Sequence, residues 1–219
     1  GISGKRYAFQ FKRLKGSLKR AGFTLTETIM NAKDFGTPQN RKRKILVGLN
    51  TREHCGEVWV PPEGLDDQEL DLTVRAAIGG LPDPVYFKKN LEPACFPAHR
   101  NHWCMVPRSK RFKEAGRLKP GDRQGRSFKI LAWDQPSYTV AYGNREVHIH
   151  PNCKRRLSVF EAMLLQGFPK RYELIGTLSS QITQVSGAVP PPLAYAIAKS
   201  IKGQLAANGT EQAQGPCAA

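Results

Sequence analysis

Apolar residues near the N-terminus recur every three or four positions. Phe11, Leu14, Leu18 and Ala21 fall on one face of a helix predicted over residues 5–21, and lysines and arginines occupy the rest of its surface. This amphipathic pattern predicts a helix whose apolar face packs against the remainder of the fold.

Two stretches after this helix have the pattern of β-strands. Residues 24–29 are rich in β-branched side chains that alternate with other types, and residues 43–49 contain an apolar run. We predict that they form an antiparallel pair with the helix on one side. This arrangement is typical of an α/β fold.

The pattern becomes irregular between residues 51 and 152, where proline and glycine interrupt short segments. We predict a separate, small, loop-rich domain here, with one short helix at 72–78. Trp103 and Trp133 lie in this domain, and we favour a place in its core over a role in contacting bases.

A basic run from 108 to 129 lies inside the irregular region. It holds nine lysines and arginines against two acidic residues, and glycines and a proline break it up. A mobile basic loop that holds phosphates is one interpretation, and a merely exposed basic loop is the other. The DNA-binding candidates are Arg108, Lys110, Arg111 and Lys113.

Regular patterns return after residue 153. Ser158 and Glu161 have the spacing of a capping box for a helix that ends near Gly167. A further segment opens at Ser179, and three prolines precede a predicted helix of about ten residues. Residues 203–219 lack a pattern and are predicted to be a disordered tail.

Charge and cysteine content restrict the partner and the compartment. The net charge of +16 and pI near 9.9 favour a polyanionic partner, most simply nucleic acid. No long apolar run and no secretory signal are visible, so we expect no membrane partner. Five scattered cysteines fit reduced thiols and a cytoplasmic, nucleoid-associated location. Because the first residue is not Met, we expect a fragment or a processed piece.

Two groups of residues contain side chains that bind zinc. His99 and His102 lie near Cys104, and His148 and His150 lie near Cys153. Neither group has the paired spacing that zinc sites usually show, so we predict no metal.

The segment from Gly36 to Gly48 carries the most informative polar pattern. In an extended chain, Gln39, Arg41 and Arg43 share one face. A carboxamide beside two guanidinium groups suits contacts to phosphates and base edges. A solvated basic strand end is the alternative on this segment alone.

Three blocks occur in a fixed order: Gly-Thr-Pro-Gln-Asn-Arg-Lys-Arg at 36–43, Arg-Arg-Leu-Ser-Val-Phe-Glu-Ala-Met-Leu-Leu-Gln-Gly-Phe-Pro at 155–169, and Gln-Val-Ser-Gly-Ala-Val-Pro-Pro-Pro-Leu-Ala at 184–194. Over residues 1 to about 202 this order closely resembles the C-terminal half of the cytosine-5 DNA methyltransferases. The first block resembles that family's Gln-x-Arg-x-Arg motif, and the last resembles its closing motif.

The resemblance implies the C-terminal part of a class I (Rossmann-like) methyltransferase sheet, completed by residues that precede this chain. Residues 1–50 would belong to the catalytic domain, 51–152 would be the inserted target recognition domain, and 153–202 would return to the catalytic domain. Double-stranded DNA and S-adenosylmethionine are then the expected substrate and cofactor.

The family's reaction uses a cysteine thiolate that attacks C6 of a flipped cytosine, while a glutamate steadies the ring. The Pro-Cys-Gln and Glu-Asn-Val motifs that carry these groups do not occur in this sequence. Pro216-Cys217 is followed by alanine, and we reject it as the nucleophile. We therefore expect that the chain alone is inactive and that its partner is an N-terminal half with those motifs.

By the same resemblance, Gln39, Arg41 and Arg43 would support the flipped cytosine and its backbone, with Arg43 the first choice for direct contact. Ala188 and Val189 would close the cofactor pocket.

Arg155 and Arg156 would brace the recognition domain or touch phosphates. Two positions depart from the family pattern: Phe160 stands where Arg is usual, and Ser186-Gly187 where Gly-Asn is usual. A stand-alone, non-catalytic DNA-binding module is the alternative function. Methylation of transfer RNA is less favoured, because the variable domain is large.

Overall fold

The computed structural model describes the following parts of the chain: residues 7–54, 57–65, 70–88, 90–92, 96–125, 128–139 and 148–211. It comprises two compact units. The first contains Gly1–Met30, Lys42–Gly64 and Ala194–Ala219, and the second contains Asn31–Arg41 and Leu65–Leu193. The second unit thus groups residues 153–193 with the irregular region, whereas the domain boundaries at 50 and 152 stay a prediction.

The described residues contain five α-helices and eight β-strands. The helices are α1 (Ala8–Arg20), α2 (Val74–Ile78), α3 (Val159–Leu165), α4 (Leu178–Gly187) and α5 (Pro191–Glu211). The strands are β1 (Phe23–Asn31), β2 (Gln39–Asn40), β3 (Lys42–Asn50), β4 (Val85–Tyr86), β5 (Trp103–Cys104), β6 (Arg123–Gln124), β7 (Phe128–Lys129) and β8 (Ser137–Tyr138).

The first unit confirms the predicted helix and strand pair at the N-terminus. β1 pairs with β3, and the N–H of Thr51 donates to the carbonyl of Gly22, so the start of one strand meets the end of the other. Lys15 of α1 forms an ion pair of 2.6 Å with Glu27 of β1. The helix therefore contacts the pair, but no residue of α1 is buried and Leu14 of the predicted apolar face is 47% exposed, so the predicted packing of that face is only partial.

Helix α5 is longer than predicted. It runs from Pro191 to Glu211, so the prediction of disorder from residue 203 is wrong for 203–211. Gln204 donates from Nε2 to the carbonyl of Val60 at 2.7 Å and accepts its N–H at 3.0 Å. These bonds to a distant segment hold a turn of helix that local propensity alone does not predict. Residues 212–219, with Pro216-Cys217, lie outside the described residues.

The second unit is built around α3, every residue of which is buried. Ser158 caps this helix: it accepts from the N–H of Glu161 at 3.0 Å, and the carboxylate of Glu161 accepts from the N–H of Ser158 at 2.7 Å. This is the capping box that the sequence predicts. Trp103 is buried in the same core and Trp133 packs against it, which confirms their predicted core position, although this core also includes residues of α3 and α4, beyond the predicted domain 51–152.

The basic run has a core of its own. Leu118, Ile130 and Ile149 are buried together, and Phe112 and Phe128 pack on them. A 3-10 turn over Lys110–Phe112 and the antiparallel pair of β6 and β7 surround this cluster. The prediction of a mobile loop overlooked this order, because the apolar residues are too widely spaced in the sequence to form a periodic pattern.

Gly167 follows the end of α3, and a substitution at this residue tests how closely the unit is packed. Its φ is +79°, and an added Cβ would lie 2.8 Å from Cδ of Pro192. We expect Gly167→Ala to reduce the free energy of unfolding by more than about 1–2 kcal/mol, because the strain of positive φ is joined by overpacking. Urea unfolding of the purified chain measures this loss.

Gly116→Ala is the matched control for that substitution. Gly116 has a similar φ of +71°, but an added Cβ would meet no atom within 4 Å. It should show the cost of positive φ alone. Equal losses in the two variants would show that the close approach to Pro192 carries no cost.

Candidate functional site

A tight turn presents the first of the three sequence blocks. Gly36 adopts φ +80° at the end of a 3-10 turn over Ala32–Phe35, which reverses the chain. The N–H of Gln39 then donates to the carbonyl of Thr37 at 2.6 Å. β2 begins at Gln39 and pairs in parallel with β8, with Gln39 opposite Ser137.

The exposure of side chains alternates along this block as the extended chain predicts. Gln39 and Arg41 are buried, at 0% and 1% exposure, whereas Asn40 and Lys42 are exposed. Arg43 belongs to the other unit, is half-buried and donates from Nη1 to the carbonyl of Lys42 at 2.8 Å. Burial lowers the pKa of Arg43. Gln39 and Arg41 are therefore both buried in the second unit. Arg43 lies in the first unit, and its contacts are described only there.

The three sequence blocks meet at a single backbone carbonyl. Arg41 donates from Nη2 to the carbonyl of Ala188 at 3.0 Å and to that of Ser186 at 2.5 Å. Gln166 donates from Nε2 to the same Ala188 carbonyl at 3.0 Å and to that of Val185 at 2.7 Å. Arg41 and Gln166 therefore both bind the backbone of the last turn of α4 and of the residue after it.

Arg41 thus has a different environment from the one predicted. Its guanidinium is buried and directed at backbone carbonyls, whereas the sequence predicts a contact with a nucleotide. Charge-assisted bonds to two carbonyls suit a residue that positions the closing segment.

Several buried polar atoms lie beside this junction without a hydrogen-bond partner among the described residues. They belong to the turn and to the end of α3: Oγ1 of Thr37, Oε1 and Nε2 of Gln39, and Oε1 of Gln166. An added Cβ on Gly167 would lie 3.5 Å from Oγ1 of Thr37, which places the turn against the end of α3. Buried amides are normally satisfied, so the carboxamide of Gln39 is a group that a bound molecule or water can satisfy.

The segment after α4 is small and accessible. Ala188 is half-buried, Val189 is 42% exposed, and an added Cβ on Gly187 would meet no atom within 4 Å. The segment therefore has an open outer surface and a backbone that Arg41 and Gln166 hold from within. Such a surface fits one wall of a cofactor site.

Arg155 is part of a buried ionic network. Its Nη1 and Nη2 donate to both carboxylate oxygens of Glu161 at 2.9 Å, and its Nε donates to Asp83 at 3.2 Å. Its side chain is 4% exposed. Of the two predicted roles, this geometry supports the brace and not the phosphate contact, because the donors of Arg155 face inward.

Arg156 and Arg111 share an aromatic neighbour. Their guanidinium carbons lie 5.2 Å and 4.6 Å from the centroid of the Phe128 ring, within the range of cation–π attraction. Arg156 is 7% exposed, whereas Arg111 is half-buried. The remaining DNA-binding candidates, Arg108, Lys110 and Lys113, are exposed.

The histidine and cysteine groups fill other roles. His102 contacts the hydroxyl of Ser158 at 2.9 Å and the carbonyl of Pro82 at 2.8 Å, and His99 stacks on Phe160 with ring centroids 4.1 Å apart. Among the described residues no group of three or more His, Cys, Asp or Glu side chains is arranged to hold a metal ion.

Neither described cysteine is an activated nucleophile. Burial raises the pKa of Cys104 to about 12 and also raises the pKa of Cys153. A thiol with a raised pKa stays protonated at neutral pH and attacks slowly.

Sequence reasoning missed two structural residues of this unit. Asn101 donates to the carbonyl of Leu174 and to Gln181, and it accepts the N–H of Leu174. Asp83 binds Arg155. Asn101 and Asp83 both lie next to irregular segments. No local sequence pattern links either residue to its partner, which is about seventy positions away.

Nearly the whole chain matches one protein family. Residues 1–203 match the model of the C-5 cytosine-specific DNA methylases. The chain belongs to this family. The methylase match spans all three blocks and both compact units.

Curated methylase relatives support the same assignment. A Type II methyltransferase, M.NmeDI of Neisseria meningitidis serogroup C, is 33% identical over 212 residues, covering 89% of this chain and 50% of the relative. M.MthTI of Methanothermobacter thermautotrophicus is 31% identical over 228 residues, covering 94% of this chain and 64% of the relative. The chain thus spans about half to two thirds of these relatives.

Solved structures show the methyltransferase fold. An E. coli protein described as a DNA modification methyltransferase encoded within a prophage matches with a TM-score of 0.67 at 18% identity, over 93% of this chain and 66% of that one. A Dnmt2 methyltransferase of S. pombe matches with a TM-score of 0.54 at 14% identity, over 91% and 62%. Within the described residues no helix is long and apolar enough to span a membrane.

Gln166 provides a direct test of the shared junction. We expect Gln166→Met to reduce the free energy of unfolding by about 1–3 kcal/mol, because the buried carbonyl of Val185 loses a donor and the half-buried carbonyl of Ala188 keeps only that of Arg41. Chemical denaturation measures the change.

Gln184→Met is the control for the loss of a glutamine. Gln184 is exposed and also donates two hydrogen bonds, to the carbonyl of Ile175 and to the hydroxyl of Ser180. Water replaces these bonds, so the change should stay within about 0.5 kcal/mol. A similar loss of stability in both variants would argue against a special role for the Ala188 carbonyl.

Proposed function

We propose that this chain is the DNA-recognition and pocket-closing portion of a DNA (cytosine-5-)-methyltransferase. The observation that carries the proposal is the junction at Ala188, where the three blocks of a C-5 cytosine-specific DNA methylase meet. Because M.NmeDI and M.MthTI are Type II methyltransferases, a restriction-modification system is the proposed setting. The proposed location is the cytoplasm, at the nucleoid.

The residues of the first block divide into two proposed roles. Arg41 is a positioning residue, because its donors are directed at the carbonyls of Ser186 and Ala188. The carboxamide of Gln39 is buried and has no hydrogen-bond partner among the described residues, and Arg43 remains the proposed contact to the target nucleotide. The proposed target is a flipped cytosine, since chemistry on a ring atom requires the base to leave the stack.

The proposed cofactor is S-adenosylmethionine, which supplies the methyl group when bound. Ala188 and Val189 would form one wall of its site. Their open outer surface and their fixed backbone support this assignment. Arg41 and Gln166 would hold that wall in position without touching the cofactor.

The proposed partners are double-stranded DNA and an N-terminal methyltransferase half. The printed sequence contains neither Pro-Cys-Gln nor Glu-Asn-Val, and the two described cysteines have raised pKa values. The thiolate and the glutamate that act on cytosine would come from that half. Coverage of only 50% and 64% of the relatives is consistent with this division.

A stand-alone DNA-binding module is the second candidate. The net charge of +16 favours it, because binding to a polyanion needs no catalyst. The two candidates differ only in whether methyl transfer appears when the other half is supplied.

Methyl transfer from labelled S-adenosylmethionine to duplex DNA distinguishes them. We expect that the purified chain transfers no label, because it lacks the nucleophile motif, and that co-expression with an N-terminal half of the family produces methylated cytosines. Sequencing of the methylated positions would then identify the target.

The control pairs the same N-terminal half with a chain carrying Arg43→Ala. This variant should fold and bind DNA, but it should methylate more slowly because the target nucleotide is held less firmly. Transfer by the purified chain alone would overturn the proposed division, and its absence in the pair would favour the binding module.

The basic run predicts a strong salt dependence of DNA binding. Replacing Arg108, Lys110, Arg111 and Lys113 by glutamine should lower the slope of log K against log salt by about 0.9 for each phosphate that is no longer neutralised. Fluorescence anisotropy with a labelled duplex measures this slope.

A second variant controls for net charge. Replacing Lys12, Arg13, Lys19 and Arg20, which are exposed on α1, removes the same number of charges from the other unit. Its slope should change much less. Matching slopes in the two variants would mean that net charge alone, and not the basic run, determines binding.

A further inference from the structure

The hairpin of β6 and β7 places two positive charges directly opposite each other. Arg123 of β6 pairs with Lys129 of β7 in the antiparallel register. Directly opposite residues of such a pair project to the same side, with Cβ atoms about 4.5–5.5 Å apart. Arg123 is exposed and Lys129 is half-buried.

This arrangement costs stability in the free protein. Like charges directly opposite each other in a hairpin repel. Among the described residues neither Arg123 nor Lys129 forms an ion pair with an acidic side chain. In the described part of the hairpin, two cations are therefore held together without an ion-paired carboxylate.

The same positive charges also act on the buried side chain of His148. Burial, together with the charges of Lys129, Arg156 and Arg123, lowers the pKa of His148 to about 4. His148 is consequently neutral at pH 7 and adds no charge of its own. Three cations therefore act together on this buried ring, and two of them come from the hairpin.

The side chain of Arg123 also contacts the ring of Tyr138, on the strand that pairs with β2. Its guanidinium carbon lies 4.1 Å from the centroid of the Tyr138 ring. Tyr138 pairs with Asn40 in the parallel register of β2 and β8, and the hydroxyl of Thr139 donates to the carbonyl of Asn40 at 2.7 Å. Asn40 lies between Gln39 and Arg41, so Arg123 is tied to the strand that carries the proposed pocket residues.

We propose that Arg123 and Lys129 form a clamp for one backbone phosphate of the DNA. This phosphate would lie next to the target nucleotide, near strand β2, which carries Gln39. The inference rests on the proposed DNA substrate. A phosphate is favoured over a base edge, because the register places two cations on one side of the hairpin and neither has an acidic partner among the described residues. The clamp fixes the register of the duplex, and sequence is read elsewhere.

Binding of the 219-residue chain to labelled duplexes tests the clamp. We expect the double change Arg123→Gln with Lys129→Gln to lower the salt slope by about 0.9, the contribution of one phosphate, and each single change to lower it by less, with equal weakening on duplexes of different sequence. Arg117→Gln is the matched control, because Arg117 is exposed in the same run and lies 3.8 Å from Glu114 in an ion pair. It should leave the slope unchanged.

Thermal unfolding without DNA separates a binding role from a structural one. If the clamp assignment is right, neither glutamine variant lowers the unfolding midpoint, since each relieves repulsion in the hairpin. Lys129→Glu should raise the midpoint by pairing with Arg123, and it should weaken DNA binding more than Lys129→Gln does. A lowered midpoint in all three variants would overturn the clamp in favour of a packing role.

The outcomes also separate the clamp from the proposed function. If the unmodified chain binds no duplex at low salt, the proposed DNA substrate fails and the clamp fails with it. If the chain binds DNA with a steep salt slope that Arg123→Gln and Lys129→Gln leave unchanged, only the clamp is overturned.

Discussion

The carbonyl of Ala188 is the point on which the second unit depends, because it accepts hydrogen bonds from both Arg41 and Gln166. These donors come from positions that are far apart in the sequence, and both are buried. Hydrogen bonds from Nη2 stabilise the buried guanidinium of Arg41, and they require the backbone at the end of α4 to present its carbonyls in this direction. One constraint thereby joins the turn at 36–41, the end of α3 and the segment that would line the cofactor site.

A second buried polar network supports α3 from its other end. Arg155 binds the carboxylate of Glu161 with two donors, and the same carboxylate accepts the N–H of Ser158. Burying such a pair is costly unless its lone pairs are satisfied, and here the capping box and Asp83 supply the missing partners. The helix that leads to Gln166 is therefore fixed at both ends, which determines where the Gln166 donor lies.

Much of the fold could be predicted from local patterns. Helix α1, the strands β1 and β3, and the capping box at Ser158 are recognisable because each depends on residues within a few positions of one another. The length of α5 is not, since Gln204 is bound by Val60. The small core under the basic run also escapes a local pattern, because Leu118, Ile130 and Ile149 come from separate segments.

The sequence by itself indicated the family, through the order of three blocks, and favoured a polyanionic partner, through charge. It also determined that Gln39 and Arg41 share a face, because side chains alternate in any extended chain. Only the tertiary structure decided that Arg41 and Arg155 turn inward, that the carboxamide of Gln39 is buried with no partner in the described part of the chain, and that Arg123 faces Lys129. The reason is physical: the type of a side chain is encoded locally, whereas its partner is chosen by packing between segments many residues apart.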